Sequence, residues 1–143
     1  MTPDMLLKLR KSLIKHEGYR KTAYIDTAGK ITIGIGDNIS DRPVEDEWIN
    51  ARCDKLTREL YNQFSEDYKW FNNLNEDRQI VLINMAYNMG YKKIKEFHQM
   101  IDDLSRNEFI QASMEMMKSR WAKQVPGRAK ELFEAMLYGK YNP

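Results

Sequence analysis

Apolar residues recur every three or four positions at the start of the chain and predict a helix over about residues 3–16. The apolar positions of this helix are Met5, Leu6, Leu9 and Leu13. The preceding Thr2-Pro3-Asp4 supplies a hydroxyl cap, a proline at the first helical position and an acid in the first turn. Because Gly18 is the predicted stop, we expect Glu17 at the C-terminal end of this helix.

The pattern then changes to the two-residue alternation of a strand, and residues 23–26 and 30–35 predict a β-hairpin. One face of the second strand consists of Ile31, Ile33 and Ile35, and the other of Thr32, Gly34 and Gly36. A lone hairpin is not stable in water, so we expect the isoleucine face to pack on a helix. The threonine and glycine face is then expected to stay open for a ligand.

Helical periodicity returns in the rest of the chain. A long helix, broken once, is predicted from Pro43 to about Phe71. Asn75 begins another helix, whose centre IVLINMAYNMG is apolar nearly all round, which is typical of the buried helix of a larger lobe. Further helix boundaries are predicted at Gly90, at a capping box formed by Ser105 with Glu108, at Pro126 and at Gly139.

These elements predict a mainly helical α+β fold, with the 143 residues forming one domain of two lobes. A small lobe of about residues 17–56 would carry the hairpin, and residues 57–143 would form an all-helical lobe. We expect the first helix, residues 3–16, to pack on the helical lobe, because the hairpin lobe has little apolar surface to offer its leucines.

The composition is that of a globular protein, with 42% hydrophobic and 31% charged residues. The chain has no run of about 18 apolar residues, and its start carries too much charge for a signal peptide. We therefore expect neither a transmembrane segment nor a leader, and a protein initially kept in a cytoplasm. With one cysteine, Cys53, and two histidines, no disulfide, metal site or cofactor is expected.

Charge is unevenly distributed along the chain. Residues 1–36 carry +4, residues 37–90 carry −5 and residues 91–143 carry +3. Basic ends allow a nucleic-acid binder as one alternative, or contact with another anionic polymer. No basic run with interleaved aromatic residues supports the first alternative, and we expect no nucleic-acid partner.

Two carboxylates flank the start of the hairpin. Glu17 is expected at the negative end of a helix dipole, where a carboxylate is disfavoured and a protonated, proton-donating group is favoured. Asp26 is expected beside a turn within reach of solvent, which favours its ionised form. One protonated and one ionised carboxyl group are the pair that cleaves an acetal bond. The hydroxyl of Thr32 could hold a water molecule or form a hydrogen bond with Asp26.

Three blocks of sequence resemble the T-even type of the phage lysozyme family of endolysins. They are EGYRKTAYIDTAGKITIGIG at 17–36, LINMAYNMG at 82–90 and KSRWAKQVPGRAKELF at 118–133. Their order is that of the family, and together they span most of the chain. The resemblance implies a two-lobed lysozyme fold with a cleft, and hydrolysis of peptidoglycan between N-acetylmuramic acid and N-acetylglucosamine.

The resemblance also implies roles for individual residues. Glu17 matches the proton donor, Asp26 the second carboxylate, and Thr32 the threonine opposite it. The family is described as inverting, with carboxyls about 6.5–9.5 Å apart, whereas a retaining course needs roughly 5 Å. On the same basis, Asn38, Tyr87, Asn88 and Arg128 are the candidate substrate-binding residues, and Trp121 and Gln124 match residues behind the cleft wall. We expect Trp121 to belong to the core. Asn84, which lies inside the apolar helix, is expected to be a hydrogen-bonded buried amide.

The chain departs from the family pattern at two places. Asp37 stands where the T-even enzyme has a histidine that pairs with an acid, so either the pair is lost or Asp37 has another basic partner. The segment from Asn38 to the long helix is shorter than in the family. These departures concern the small lobe and leave Glu17, Asp26 and Thr32 in place.

The alternatives to a hydrolase are a non-catalytic peptidoglycan-binding module and a lytic transglycosylase, which needs no second carboxylate and leaves anhydro-muramyl ends. The resemblance further implies host cell lysis by a monomer. Such an enzyme would stay in the host cytoplasm until a holin opens the membrane and releases it to the periplasm and cell wall.

Overall fold

The computed structural model describes residues 1–143 and contains eight α-helices, one 3₁₀ helix and a three-stranded antiparallel sheet. In chain order the elements are α1 (Pro3–Glu17), β1 (Arg20–Ile25), β2 (Ile31–Gly34), β3 (Asp37–Asn38), α2 (Asp46–Asp67), the 3₁₀ helix (Lys69–Asn73), α3 (Glu76–Met89), α4 (Tyr91–Ile94), α5 (His98–Ser105), α6 (Phe109–Lys118), α7 (Arg120–Gln124) and α8 (Pro126–Tyr138). The predicted α+β lysozyme-like class is confirmed.

The chain divides into two compact units, residues 1–50 and residues 51–143, and the boundary falls within α2. The first unit contains α1 and the sheet, and the second contains all helices from α3 onwards. None of the helices is both long and apolar enough to cross a bilayer.

Capping interactions fix both ends of α1. The hydroxyl of Thr2 accepts a hydrogen bond of 3.2 Å from the main-chain N–H of Met5, and the N–H of Gly18 donates to the carbonyl of Ile14. Glu17 is therefore the last helical residue, as predicted. No side chain of α1 is buried, and the packing of its leucines on the helical lobe stays a prediction.

The sheet has one strand more than predicted, because β3 pairs with the outer side of β2. Thr32 lies opposite Tyr24 of β1 and Asn38 of β3, and only 3% of its surface is exposed. Ile31, the first residue of β2, is 45% exposed. The sequence predicts that Ile31 lies on a buried face and Thr32 on the open face. The structure shows the reverse at both positions, so this prediction is wrong for Ile31 and Thr32.

The core of the second unit surrounds α3, as predicted from its apolar centre. Asn75 caps this helix by accepting a hydrogen bond of 3.0 Å from the N–H of Arg78, and Gly90 ends it. The buried residues of α3 are Val81, Leu82, Met85 and Ala86. The predicted break in the long helix lies between α2 and the 3₁₀ helix, across which the rings of Phe64 and Phe71 stack 5.1 Å apart.

The predicted capping box at Ser105 is wrong. Ser105 is the last residue of α5, and its hydroxyl donates to the carbonyl of Asp102 at 2.6 Å. The chain then turns through Asn107, which has a positive φ of 58°, and the N–H of Glu108 is already bonded to the carbonyl of Asp103. The tight turn thus takes the place of a side-chain cap.

Arg78 ties the start of α3 to the end of α8. Its Nε donates to the carbonyl of Met136 at 2.8 Å, and its guanidinium lies 3.6 Å from the ring centroid of Phe109. Beside it, the side-chain amide of Asn75 donates to the carbonyl of Gly139 at 2.8 Å. Gly139 ends α8 with a φ of 66°, and a Cβ there would lie 2.9 Å from the guanidinium carbon of Arg78.

Candidate active site

Glu17 lies at the junction between α1 and the sheet, with its side chain against the backbone of Gly36. A Cβ built on Gly36 would be 2.7 Å from Oε2 and 2.9 Å from Cβ of Glu17. The sequence predicts that Gly36 leaves space for a ligand, whereas in the structure the side chain of Glu17 occupies that space. Gly34, two residues earlier, has no atom within 4 Å of the same built position, so that glycine does lie open.

Main-chain groups of the turn after β1 hold the carboxylate of Asp26. Its Oδ1 accepts hydrogen bonds from the N–H groups of Ala28 at 2.9 Å and Lys30 at 2.8 Å. The N–H of Asp26 in turn donates to the carbonyl of Lys30 at 2.9 Å. The turn thereby fixes the direction of the carboxylate and occupies one of its two oxygens.

The second oxygen of Asp26 faces Thr32. The hydroxyl of Thr32 lies 3.4 Å from Oδ2 of Asp26 and 3.2 Å from the carbonyl oxygen of Lys30. A hydroxyl carries one proton, so it donates to one of these acceptors at a time and keeps its lone pairs for another donor such as water. Asp26 and Thr32 are therefore brought together, as the sequence suggested, and the main chain of Lys30 contacts both.

The side chain of Asn38 is engaged within its own turn. Its Oδ1 accepts from the N–H groups of Ser40 and Asp41, and its Nδ2 donates to Oδ2 of Asp41 at 2.9 Å. Asp41 also receives a hydrogen bond of 2.8 Å from Nζ of Lys30, which lowers the pKa of Asp41 and raises that of Lys30. The side chain of Asn38 thus stabilises the turn of residues 38–41. A contact between Asn38 and substrate stays a prediction.

Asp37 forms an ion pair with Arg42, at the position where the family has a histidine paired with an acid. Its Oδ1 lies 3.0 Å from Nη2 of Arg42. Both side chains are largely exposed, and an ion pair of this kind contributes little to stability. The sequence left open whether the ion pair is lost or Asp37 has another basic partner, and the structure shows that Asp37 pairs with Arg42.

In the second unit, Tyr87 and Arg128 line a cavity of about 380 Å³ that also contacts Cys53, Ile80 and Asn84. Nε of Arg128 donates to Oδ1 of Asn84 at 2.8 Å, and Nη2 of Arg128 lies 3.3 Å from the carbonyl oxygen of the same residue. Asn84 is hydrogen-bonded as expected, but it is half-buried rather than buried, and it orients a candidate binding residue. Its position inside an apolar helix was the signal in the sequence.

Asn88 and Trp121 form a second anchored pair in this unit. The indole N–H of Trp121 donates to Oδ1 of Asn88 at 2.8 Å. Trp121 is 5% exposed, so it belongs to the core as expected. Asn88 is exposed at the surface, and one of its polar atoms stays available for a ligand.

Comparison with known proteins gives a consistent picture. A family model described as phage lysozyme matches residues 14–134. Probable T4-type lysozyme 2 of Dictyostelium discoideum is 23% identical over 164 aligned residues, which cover 94% of this chain and 96% of the relative. Probable T4-type lysozyme 1 of the same organism is 24% identical, with 92% of this chain and 95% of the relative covered.

A third relative is a part of a longer protein. The pre-baseplate central spike protein Gp5 of Enterobacteria phage T4 is 26% identical over 162 aligned residues, which cover 93% of this chain and 28% of that protein. All three alignments are longer than the 143 residues of this chain, so the chain lacks residues that its relatives have. Because the family match covers most of the chain, the protein belongs to the phage lysozyme family.

Proposed function

We propose that this protein hydrolyses the β-1,4 bond between N-acetylmuramic acid and N-acetylglucosamine of peptidoglycan. Membership of the family supports a lysozyme-like function directed at peptidoglycan. The observation that supports the specific reaction is the arrangement around Lys30. Its main-chain N–H binds Asp26, and the Thr32 hydroxyl lies within hydrogen-bonding distance of both Asp26 and the Lys30 carbonyl. Glu17, the third residue of the motif, lies in the same compact unit.

The proposed reaction uses these three side chains in one displacement. Glu17 donates its proton to the glycosidic oxygen as the bond to C1 breaks, so the leaving sugar departs as an alcohol. A water molecule held by Asp26 and Thr32 attacks C1 from the opposite face and gives its proton to Asp26. Oδ2 of Asp26 receives no main-chain hydrogen bond and lies 3.4 Å from the Thr32 hydroxyl, so it is the oxygen assigned to that water. The new anomeric centre is inverted.

Substrate binding is assigned to four further residues. Tyr87 offers an exposed aromatic face for a sugar ring, and Arg128, anchored by Asn84, offers a fixed cation. Asn88 and Asn38 would bind the acetamido and hydroxyl groups of the glycan through the polar atoms that their internal hydrogen bonds leave available.

In the cell, the proposed enzyme is an endolysin that lyses the host. It would act as a monomer on glycan strands, without a cofactor or a nucleic-acid partner. It would stay in the host cytoplasm until a holin opens the membrane, and it would then reach the periplasm and cell wall.

The experiment that tests the proposed function compares Glu17→Gln with the wild type on purified peptidoglycan. Loss of a general acid should lower the rate by about 10²–10⁴-fold while the circular dichroism spectrum is unchanged. Glu47→Gln, an exposed glutamate at the start of α2, is the matched control and should retain full activity. An active Glu17→Gln variant contradicts the assignment, and an inactive wild type favours a non-catalytic binding module.

The products separate the hydrolase from the remaining alternative. A hydrolase leaves reducing N-acetylmuramic acid ends, whereas a lytic transglycosylase leaves anhydro-muramyl ends that mass spectrometry detects as the loss of one water. NMR of the first anomer formed then tests the stereochemistry. An initial product with the α configuration supports inversion, and one that keeps the β configuration of the substrate excludes it.

A further inference from the structure

We propose that Gly36 is a positioning residue for Glu17, because its missing side chain lets the Glu17 carboxyl lie against the backbone of the turn between β2 and β3. The inference rests on the proposed function, since it concerns the group assigned as the proton donor. It gives Gly36 a role other than leaving room for substrate.

The geometry is specific to this pair of residues. The three atoms nearest to a Cβ on Gly36 all belong to Glu17: Oε2 at 2.7 Å, Cβ at 2.9 Å and Cδ at 3.0 Å. These distances are below those of ordinary carbon contacts, so any L-residue at this position displaces the glutamate or the turn. Both residues lie in the first compact unit, Glu17 at the end of α1 and Gly36 in the turn between β2 and β3.

The turn itself is held in place by the sheet. The pairing of β2 with β3 aligns Ile33 with Asp37 and Thr32 with Asn38 on either side of Gly36. The turn that directly follows the strand of Thr32 therefore carries the backbone against which Glu17 lies. This links the position of the proton donor to that of the water-binding pair, and a displacement of about 1 Å at such a site can cost 10²-fold in rate.

Gly34 provides a matched control. It has a φ of 67°, against 62° for Gly36, so alanine at either position meets the same left-handed strain. A Cβ on Gly34, however, has nothing within 4 Å. Gly36→Ala and Gly34→Ala thus differ in the contact with Glu17 and resemble each other in backbone strain.

The test measures kcat and KM of both variants on soluble glycan strands, with thermal unfolding in parallel. We expect Gly36→Ala to lower kcat by about 10²-fold with little change in KM. The methyl group of Gly34→Ala lies on the face left open for substrate, so its effect should fall on KM, with kcat within about threefold of the wild type. Equal losses of kcat in the two variants, or a loss in Gly36→Ala that lies entirely in KM, would overturn the proposal. An inactive wild type would instead contradict the proposed function.

A second measurement needs no activity. The fall in Tm caused by Gly36→Ala is measured in the wild type and in a Glu17→Gly background, which removes all three contacting atoms. We expect the fall to be smaller in Glu17→Gly, whereas Gly34→Ala should lower Tm equally in both backgrounds. If the cost of Gly36→Ala is the same with and without the Glu17 side chain, the contact is absent in solution and the proposal fails.

Discussion

The Thr32 hydroxyl lies 3.4 Å from Oδ2 of Asp26, so the buried residue of the central strand faces the free oxygen of the carboxylate. Thr32→Val removes this hydroxyl and keeps the side-chain shape. We expect the rate on peptidoglycan to fall by about 10–10²-fold, because Asp26 and the water lose a fixed partner. Turbidity assays of wall suspensions measure the effect.

The controls for this prediction are Thr32→Ser, which keeps a hydroxyl and should retain most activity, and Thr27→Val in the exposed turn. If Thr32→Val is as active as the wild type, the hydroxyl has no part in the reaction.

Asn88 satisfies the indole N–H of a nearly buried tryptophan. We expect Asn88→Ala to lower the free energy of unfolding by about 1–3 kcal/mol, because Trp121 then has an unpaired donor. Urea unfolding measures this cost. Replacing Trp121 by Phe removes the donor, so Asn88→Ala should cost less in that background, and an equal cost in both backgrounds would show that the hydrogen bond is not the cause.

The leucine stripe of α1 gives a test of the predicted lobes. Leu9 is 44% exposed, and an exposed substitution changes stability by at most about 0.5 kcal/mol. If α1 packs on the helical lobe as the sequence predicts, Leu9→Ala should cost about 2–5 kcal/mol. Hydrogen exchange should then increase at residues 80–89 and 128–137. Deprotection confined to residues 31–35, or a cost equal to that of Lys11→Ala, contradicts the prediction.

Asp67 predicts how stability changes in acid. Hydrogen bonds from Lys95 at 2.9 Å and Tyr91 at 2.8 Å hold the pKa of Asp67 below its usual value of 3.8. The folded state therefore binds this proton less readily than the unfolded state. The contribution of Asp67 is present above pH 3.8 and is lost as the pH falls through the lower folded value.

We accordingly expect Asp67→Asn to be less stable than the wild type near neutral pH, with the difference shrinking below about pH 4. Thermal unfolding across this range measures it. Asp54→Asn, on the same helix and without an ion pair, is the control. A constant difference at all pH values would mean that the charge of Asp67 is not responsible.

The sequence predicted the features that local signals determine. The caps at Thr2 and Asn75 and the stop at Gly18 lie next to the helices they bound, and they place Glu17 correctly. The strand β3 was missed, because two residues are too few for an alternating pattern. The bond from the N–H of Ile31 to the hydroxyl of Ser40, nine residues along the chain, likewise has no periodic signature.

The contact of Gly36 with Glu17 is another feature that the sequence pattern does not predict. A glycine in a strand pattern indicates a close approach of some kind, but the approaching atom is set by the angle between α1 and the sheet. That angle depends on packing between elements. The pattern of hydrophobic and polar residues therefore does not identify Glu17 as the residue beside Gly36.

The link between Asn75 and Gly139 has a consequence for synthesis on the ribosome. The two residues are 64 positions apart, so a ribosome that has completed the start of α3 must translate for roughly 3–13 s before Gly139 exists. Throughout that interval the apolar centre of α3 has no α8 to cover it, and Arg78 has no carbonyls of α8 to bind. A growing chain therefore remains a substrate for chaperones and proteases of the cell in which it is made. Interrupted translation yields fragments with an open helical unit.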